Sequence, residues 1–174
     1  MVRIGRPVEK ITGGSDMNDI KIFSIGKIEN KEGTVSINVD LEYAKGLKGL
    51  DGYGHVQVMW WADKCDNESD RNNLIEEKPY KKGPDEIGVF ATRSPARPNP
   101  IAVSNADIAY VDEDAGIVGL YYIDAFDGTY VLDLKPYMPS VDRIEKPKVP
   151  NWCSHWPKSY EESGDFDWKA EFNF

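Results

Sequence analysis

Gly88-Val-Phe-Ala-Thr-Arg-Ser-Pro-Ala-Arg-Pro-Asn-Pro-Ile-Ala-Val-Ser104 is the stretch from which the rest of the chain is read. Pro95, Pro98 and Pro100 fix φ, remove backbone donors and push the residues before them out of the helical region. The segment therefore reads as stiff and extended. It carries Arg93, Arg97 and Asn99 on a frame that loses little ordering entropy when a ligand is met. Strand-like runs flank it over 87–92 and 101–108. From these residues alone two readings stand: a ligand-binding segment, or a proline-rich turn whose arginines pair with surface carboxylates.

Towards the N-terminus, apolar and polar residues nearly alternate over 20–28 and again over 34–41, with 30–33 between them, which predicts a hairpin. The run His-Val-Gln-Val-Met-Trp-Trp over 55–61 is rich in β-branched and aromatic residues and predicts a strand. Residues 47–53 form a glycine-punctuated turn. Residues 63–73 leave the sheet as a charged loop with room for one helical turn, and 74–86 continue as polar connection with at most a short strand. Further strands are predicted over 117–124 and 130–134, joined by Ala125-Phe-Asp-Gly-Thr129, whose Asp-Gly pair favours a tight reversal. Six or seven short strands with few amphipathic helices predict an all-β, mainly antiparallel fold, a small closed or nearly closed β-barrel, with a sandwich as the competing architecture. The expected organisation is a tail over 1–19, a barrel over 20–145, and an irregular aromatic arm over 146–174. In that arm Trp152, Trp156, Trp168, Phe172 and Phe174 pack on the barrel or on a partner subunit.

The 174 residues, 40% of them hydrophobic, fit one domain able to bury a core. No apolar run approaches the roughly 20 residues a bilayer requires, and the N-terminus lacks the apolar core of a secretory signal. Cys65 and Cys153 lie far apart without a C-x-x-C pair, so a reducing cytoplasm is the expected location. A net charge of −9 counts against indiscriminate polyanion binding. Charge is unevenly spread, however: over 78–100, Lys78, Lys81, Lys82, Arg93 and Arg97 outnumber Asp85 and Glu86, while 158–174 is acidic.

Common catalytic signatures are absent. No G-x-G-x-x-G or Walker loop is present, His55 and His155 have no metal-ligand spacing so no metal is expected, and Ser94 and Ser104 lack a G-x-S-x-G context. A second constellation, Asp124-Ala-Phe-Asp-Gly-Thr-Tyr-Val-Leu-Asp-Leu-Lys-Pro-Tyr137, is expected to place Asp124, Asp127, Thr129, Asp133, Lys135 and Tyr137 within one hairpin. Strand alternation puts Asp133 and Lys135 on one face. The alternative is a solvated acidic turn with a cross-strand ion pair.

Together these segments resemble the TsaA/TrmO-like family of S-adenosylmethionine-binding β-barrels. The resemblance is carried by residues 88–101 and 127–137, with support from Leu47-Lys-Gly-Leu-Asp-Gly-Tyr-Gly-His-Val56 and Ser24-Ile-Gly-Lys-Ile28, and runs from about 20 to 142. It implies an antiparallel barrel that forms a homodimer and holds S-adenosylmethionine near the subunit boundary. It also implies a methyltransferase acting on N6 of threonylcarbamoyladenosine beside the tRNA anticodon. The cofactor-binding residues it implies are Arg93, Arg97, Asn99, Ile101, Asp124, Phe126, Asp127, Gly128, Thr129 and Lys135. Asp127, Asp133 and Asp63 are the candidate proton acceptors. Four departures stand out. The hairpin Lys27-Ile-Glu-Asn-Lys-Glu-Gly33 replaces a Pro-Arg-Gln element, Asp63-Lys64 replaces a His-Gln pair, Ala102 replaces a glycine, and the bacterial C-terminal domain has no counterpart here. Methylation of a small molecule or a protein, and a non-catalytic S-adenosylmethionine-binding module, are the alternative functions; the net charge disfavours tRNA as a partner.

Overall fold

The computed structural model describes residues 21–31 and 33–173. The tail expected over 1–19, Ile20 at the head of the first predicted strand, and Phe174 lie outside the described residues. The chain divides into two units: Met1–Asp63 with Ile101–Tyr137, and Lys64–Pro100 with Met138–Phe174.

The first unit is a closed barrel. Its strands are β1 (Gly26–Lys31), β2 (Thr34–Val39), β3 (His55–Trp61), β6 (Ile101–Asp112), β7 (Ile117–Leu120) and β8 (Tyr130–Pro136). They close in the order β1-β2-β7-β6-β3-β8, and every pairing is antiparallel. This is the predicted closed architecture and excludes the sandwich. Alternation explains it: Ile28, Ile37, Val56, Val58, Ala106, Val118 and Val131 point inward and are essentially inaccessible. Leu47 and Leu50, from the β2–β3 connection, and Ile123, from the β7–β8 connection, join the same core.

The β1–β2 hairpin reverses between the paired residues Lys31 and Thr34, with Gly33 at φ 85 supplying the left-handed turn. The first strand starts at Gly26 rather than at residue 20. Just before it, Ile25 N–H still donates to the Val131 carbonyl at 2.8 Å and the Ile25 carbonyl accepts from Asp40 N–H at 2.9 Å. β6 runs four residues past its expected end at 108, because β7 continues to pair with it as far as Asp112↔Ile117. In that ladder the ring of Tyr110 lies across Gly119, so close that a Cβ there would sit 2.2 Å from a ring carbon.

The hairpin predicted for 117–134 does not form. β7 pairs with β2 and β6, whereas β8 pairs with β1 and β3, so the two strands lie on different sides of the barrel. Their connection does turn at Asp127-Gly128, as the sequence suggests: Gly128 has φ 81 and Thr129 N–H donates to the Phe126 carbonyl at 3.2 Å. The register shift between Met59↔Asp133 and Trp60↔Val131 marks a bulge in β8 at Leu132.

The second unit holds a two-stranded ladder of β4 (Ile75–Glu77) and β5 (Glu86–Gly88), and the single-turn helices α1 (Glu68–Arg71), α2 (Pro139–Asp142) and α3 (Tyr160–Ser163). The strand predicted over 87–92 ends at Gly88 and gives way to a 3-10 turn, Val89–Ala91. The C-terminal aromatics pack here. Tyr80 stacks on Trp152 with centroids 4.8 Å apart and meets Trp156 edge-on, and Trp168 stacks on Phe172 at 5.7 Å. Beside them Glu171, 4% exposed, accepts from His155 Nε2 at 2.9 Å, Trp156 Nε1 at 3.1 Å and Lys82 Nζ at 3.0 Å. The His155, Trp156 and Lys82 contacts together hold its carboxyl down to about 2.

Candidate functional site

Antiparallel order fixes which loops share an end of the barrel. β1, β3 and β7 finish, and β2, β6 and β8 begin, at the same end. That end therefore carries the β1–β2 reversal, Asp63 just past β3, Ile101 at the head of β6, and the whole connection 121–129. Of the expected site residues, Ile101, Asp124, Phe126, Asp127, Gly128, Thr129 and Asp63 are thus brought to one end of one unit by topology.

The connection at this end is fastened to β1. Ile28 N–H donates to the Thr129 carbonyl and Gly128 N–H to the Ile28 carbonyl, both at 2.8 Å. Asn30 adds two bonds, its backbone N–H to Asp127 Oδ1 at 3.1 Å and its side-chain amide to the Ala125 carbonyl at 2.9 Å. Thr129 is buried, while Asp124, Asp127 and Phe126 are exposed, Phe126 at 62%. Next to this turn a shallow cavity of about 200 Å³ is lined by Lys27, Ile28, Glu29, Lys31, Asn38, Asp127 and Gly128. Nothing lies within 4 Å of where a Gly128 Cβ would stand. Lys31 pairs with Glu29 at 2.7 Å, and this bond, with the nearby Asp127 charge, holds the Lys31 ammonium above its usual range.

Asp133 and Lys135 share the outer face of β8, as alternation predicts, and pair at 2.7 Å within the strand rather than across a hairpin. The bond from Lys135 to Asp133 raises the lysine above its ordinary value. Asp133 Oδ1 also accepts from the Leu134 N–H at 2.9 Å. Across the ladder Met59 stands opposite both Val103 and Asp133. His55 is a partner of Asp107, its cross-strand neighbour, at 2.8 Å, which agrees with a structural rather than a ligating role.

Arg93, Arg97 and Asn99 belong to the second unit. Arg97 turns its donors onto its own segment: Nε donates to the Ser94 carbonyl at 2.6 Å, and Nη2 to the Thr92 and Val89 carbonyls at 2.8 and 3.2 Å. Arg71 reaches the Pro98 carbonyl at 3.0 Å. The stiffness inferred from prolines is thus completed by arginines that satisfy carbonyls. Arg93 and Asn99 are exposed. The cationic stretch is also less open than its composition suggests, since Lys78 pairs with Asp85 at 3.2 Å, Lys82 pairs with Glu171, and Lys81 Nζ donates to the Lys169 carbonyl at 2.8 Å.

The residue missed in the sequence is Asn30. Its partners lie 95 and 97 positions away, and no local pattern marks it.

The arrangement suits a small organic cation that also carries a flat ring. Asp124 and Asp127 offer negative charge, Phe126 offers an exposed aromatic face, and the space beside Gly128 lets a ligand approach the backbone. Asp124 and Asp127 are the groups at this end that would hold the sulfonium or ammonium of S-adenosylmethionine, and Phe126 the one that would face its adenine. Among the described residues no helix is long and apolar enough to cross a membrane.

Residues 25–143 match the family model described as tRNA-methyltransferase O N-terminal domain. A probable S-adenosyl-L-methionine-binding protein of Archaeoglobus fulgidus is 35% identical over 116 residues, covering 67% of this chain and 30% of that protein. The tRNA (adenine(37)-N6)-methyltransferase of Escherichia coli is 30% identical over 121 residues, covering 68% of this chain and 51% of the enzyme. The chain thus spans about half or less of the length of these two relatives. A crystal structure of TrmO from Pseudomonas aeruginosa superposes with a TM-score of 0.55 at 25% identity, over 74% of this chain and 60% of that one.

Proposed function

For a chain that belongs to the family of the tRNA-methyltransferase O N-terminal domain, we propose S-adenosylmethionine-dependent methylation of N6 of threonylcarbamoyladenosine beside the tRNA anticodon. The observation that carries this reading is the gathering of Ile101 and the 124–129 connection at one end of the barrel. These are the barrel positions that the family resemblance assigns to the cofactor. Arg93 and Asn99 in the second unit, and Lys135, which stands opposite Gln57 towards the far end of β8, are the further cofactor-binding residues that the resemblance implies. Arg97 serves by keeping the motif in shape. The proposed assembly is a homodimer, as the resemblance implies, and the proposed location is the cytoplasm, as Cys65 and Cys153 without a C-x-x-C pair suggest.

S-Adenosylmethionine, when bound, supplies an electrophilic methyl group on a sulfonium. What the chain contributes is binding, alignment and a proton acceptor, since in-line transfer needs no covalent enzyme intermediate. The acceptor nitrogen gains the methyl group and gives up a proton, which a carboxylate within hydrogen-bond reach takes. Asp63, Asp127 and Asp133 are the candidates. Asp127 and Asp133 already accept bonds from Asn30 and Lys135, respectively. Asp124 and Asp127 favour a cationic ligand at the turn by charge, and Phe126 offers a face for adenine.

A tRNA pool incubated with the protein and methyl-tritiated cofactor tests the reading: label should enter the tRNA. Methyl transfer to a small molecule or a protein is a second reading. The −9 charge and the engagement of Lys78, Lys81, Lys82 and Arg97 within the second unit favour it. It predicts label in that acceptor and none in tRNA. A binding module, favoured by the name of the Archaeoglobus fulgidus relative, predicts saturable cofactor binding with no product.

A further inference from the structure

We propose that Asn30 is a positioning residue for the cofactor, holding the 125–129 turn in its ligand-ready shape from the β1–β2 hairpin; this rests on the reading that the turn binds S-adenosylmethionine. A turn with a left-handed Gly128 and an exposed Asp127 and Phe126 has many conformations to lose when a ligand orders it. Any tether that removes those conformations beforehand improves affinity without touching the ligand.

Asn30 is built as such a tether. It grips the turn at two places two residues apart, the Ala125 carbonyl through its side-chain amide and the Asp127 carboxylate through its backbone N–H. Beyond those points, Gly128 N–H and the Thr129 carbonyl are bonded to Ile28 on the same strand. The side-chain bond is half-buried, so water competes with it less than at an open surface, and the Asn30 residue is itself half-buried. Asn30 sits in β1, one residue before the Lys31↔Thr34 pair that closes the β1–β2 hairpin. In this chain it serves the cofactor by bracing the turn.

The same tether divides the work of Asp127 between its two oxygens. With Oδ1 accepting from Asn30 N–H, one side of this carboxylate anchors the turn, and Oδ2 is the atom that meets a ligand or takes a proton.

The test is calorimetric titration of S-adenosylmethionine and of S-adenosylhomocysteine into the full chain and into Asn30→Asp and Asn30→Gln. Amide hydrogen exchange of the cofactor-free proteins accompanies it. Asn30→Asp keeps the shape but turns a donor into an acceptor facing the Ala125 carbonyl. It should weaken S-adenosylhomocysteine by about fivefold or more, the net contribution of one hydrogen bond, and S-adenosylmethionine by less, because the added carboxylate attracts the sulfonium. Exchange should rise at Gly128 and Thr129 but not at β3 and β6. Asn30→Gln, which keeps the amide on a longer arm, should recover part of the affinity. Equal affinity of the parent chain and Asn30→Asp for S-adenosylhomocysteine would overturn the positioning role while leaving the turn as the cofactor site. A loss of affinity with exchange rising throughout the barrel would make Asn30 a residue of fold stability alone, and likewise overturn the proposal. No binding by the parent chain would overturn the reading beneath it.

Discussion

The Arg97 guanidinium donates to the Thr92 carbonyl at 2.8 Å and so closes the proline-rich segment on itself. A charged donor shared among three carbonyls of its own loop contributes more than a surface ion pair, because its loss takes a partner from each of those acceptors. Arg97→Ala should therefore destabilise the protein by about 2 kcal/mol. Arg97→Lys should recover little, since one ammonium cannot reproduce the planar fork. Urea unfolding of the two variants measures this.

Gly119 lies under the half-exposed ring of Tyr110. With a Tyr110 ring carbon 2.2 Å from where an alanine methyl would stand, Gly119→Ala should cost about 1–3 kcal/mol through overpacking. The same change in a Tyr110→Ala background should cost much less. A double-mutant cycle by thermal unfolding isolates the coupling.

Gly128 governs both backbone and space at the candidate site. At φ 81 an alanine costs about 1 kcal/mol in left-handed strain. Its methyl would also project into the open ground beside the cavity. Gly128→Ala should raise the dissociation constant for S-adenosylmethionine, read by calorimetry, by more than its effect on the unfolding temperature accounts for.

Glu171 makes the second unit sensitive to acid. Its folded value, about 2, lies below the ordinary 4.5, so the stabilisation is fully present above 4.5 and is lost as pH falls through that window toward 2. Tryptophan emission should change over that range, from Trp156, which donates to this carboxylate, and from Trp152 and Trp168, which meet Trp156 edge-on. In Glu171→Gln, which still accepts from Trp156, the transition in that window should be much smaller.

Most of the fold could be read from the sequence and only part of the site, for reasons that differ by residue. β3 matches its predicted 55–61 bounds because β-branched and aromatic residues run there over a full strand. Residues 87–92 misled because apolar content alone does not separate a strand from a 3-10 turn. The supposed hairpin over 117–134 failed because an Asp-Gly turn signals a reversal, not the partner of the strand that follows it. Barrel closure through β1 and β8 is a long-range fact. Asp133 and Lys135 were readable on one face from period alone. The inward use of Arg97, and the Asn30 bonds to a turn nearly a hundred residues away, depend on tertiary placement that no local pattern encodes.

Nucleoside mass spectrometry bears most directly on the proposed methyl transfer. Transfer RNA carrying unmethylated threonylcarbamoyladenosine is incubated with the protein and S-adenosylmethionine, digested, and assayed for the methylated nucleoside alongside S-adenosylhomocysteine. A methyltransferase of this kind yields the N6-methylated nucleoside and S-adenosylhomocysteine in equal amounts. Unchanged tRNA with no S-adenosylhomocysteine, under conditions where the cofactor binds saturably, would contradict the assignment.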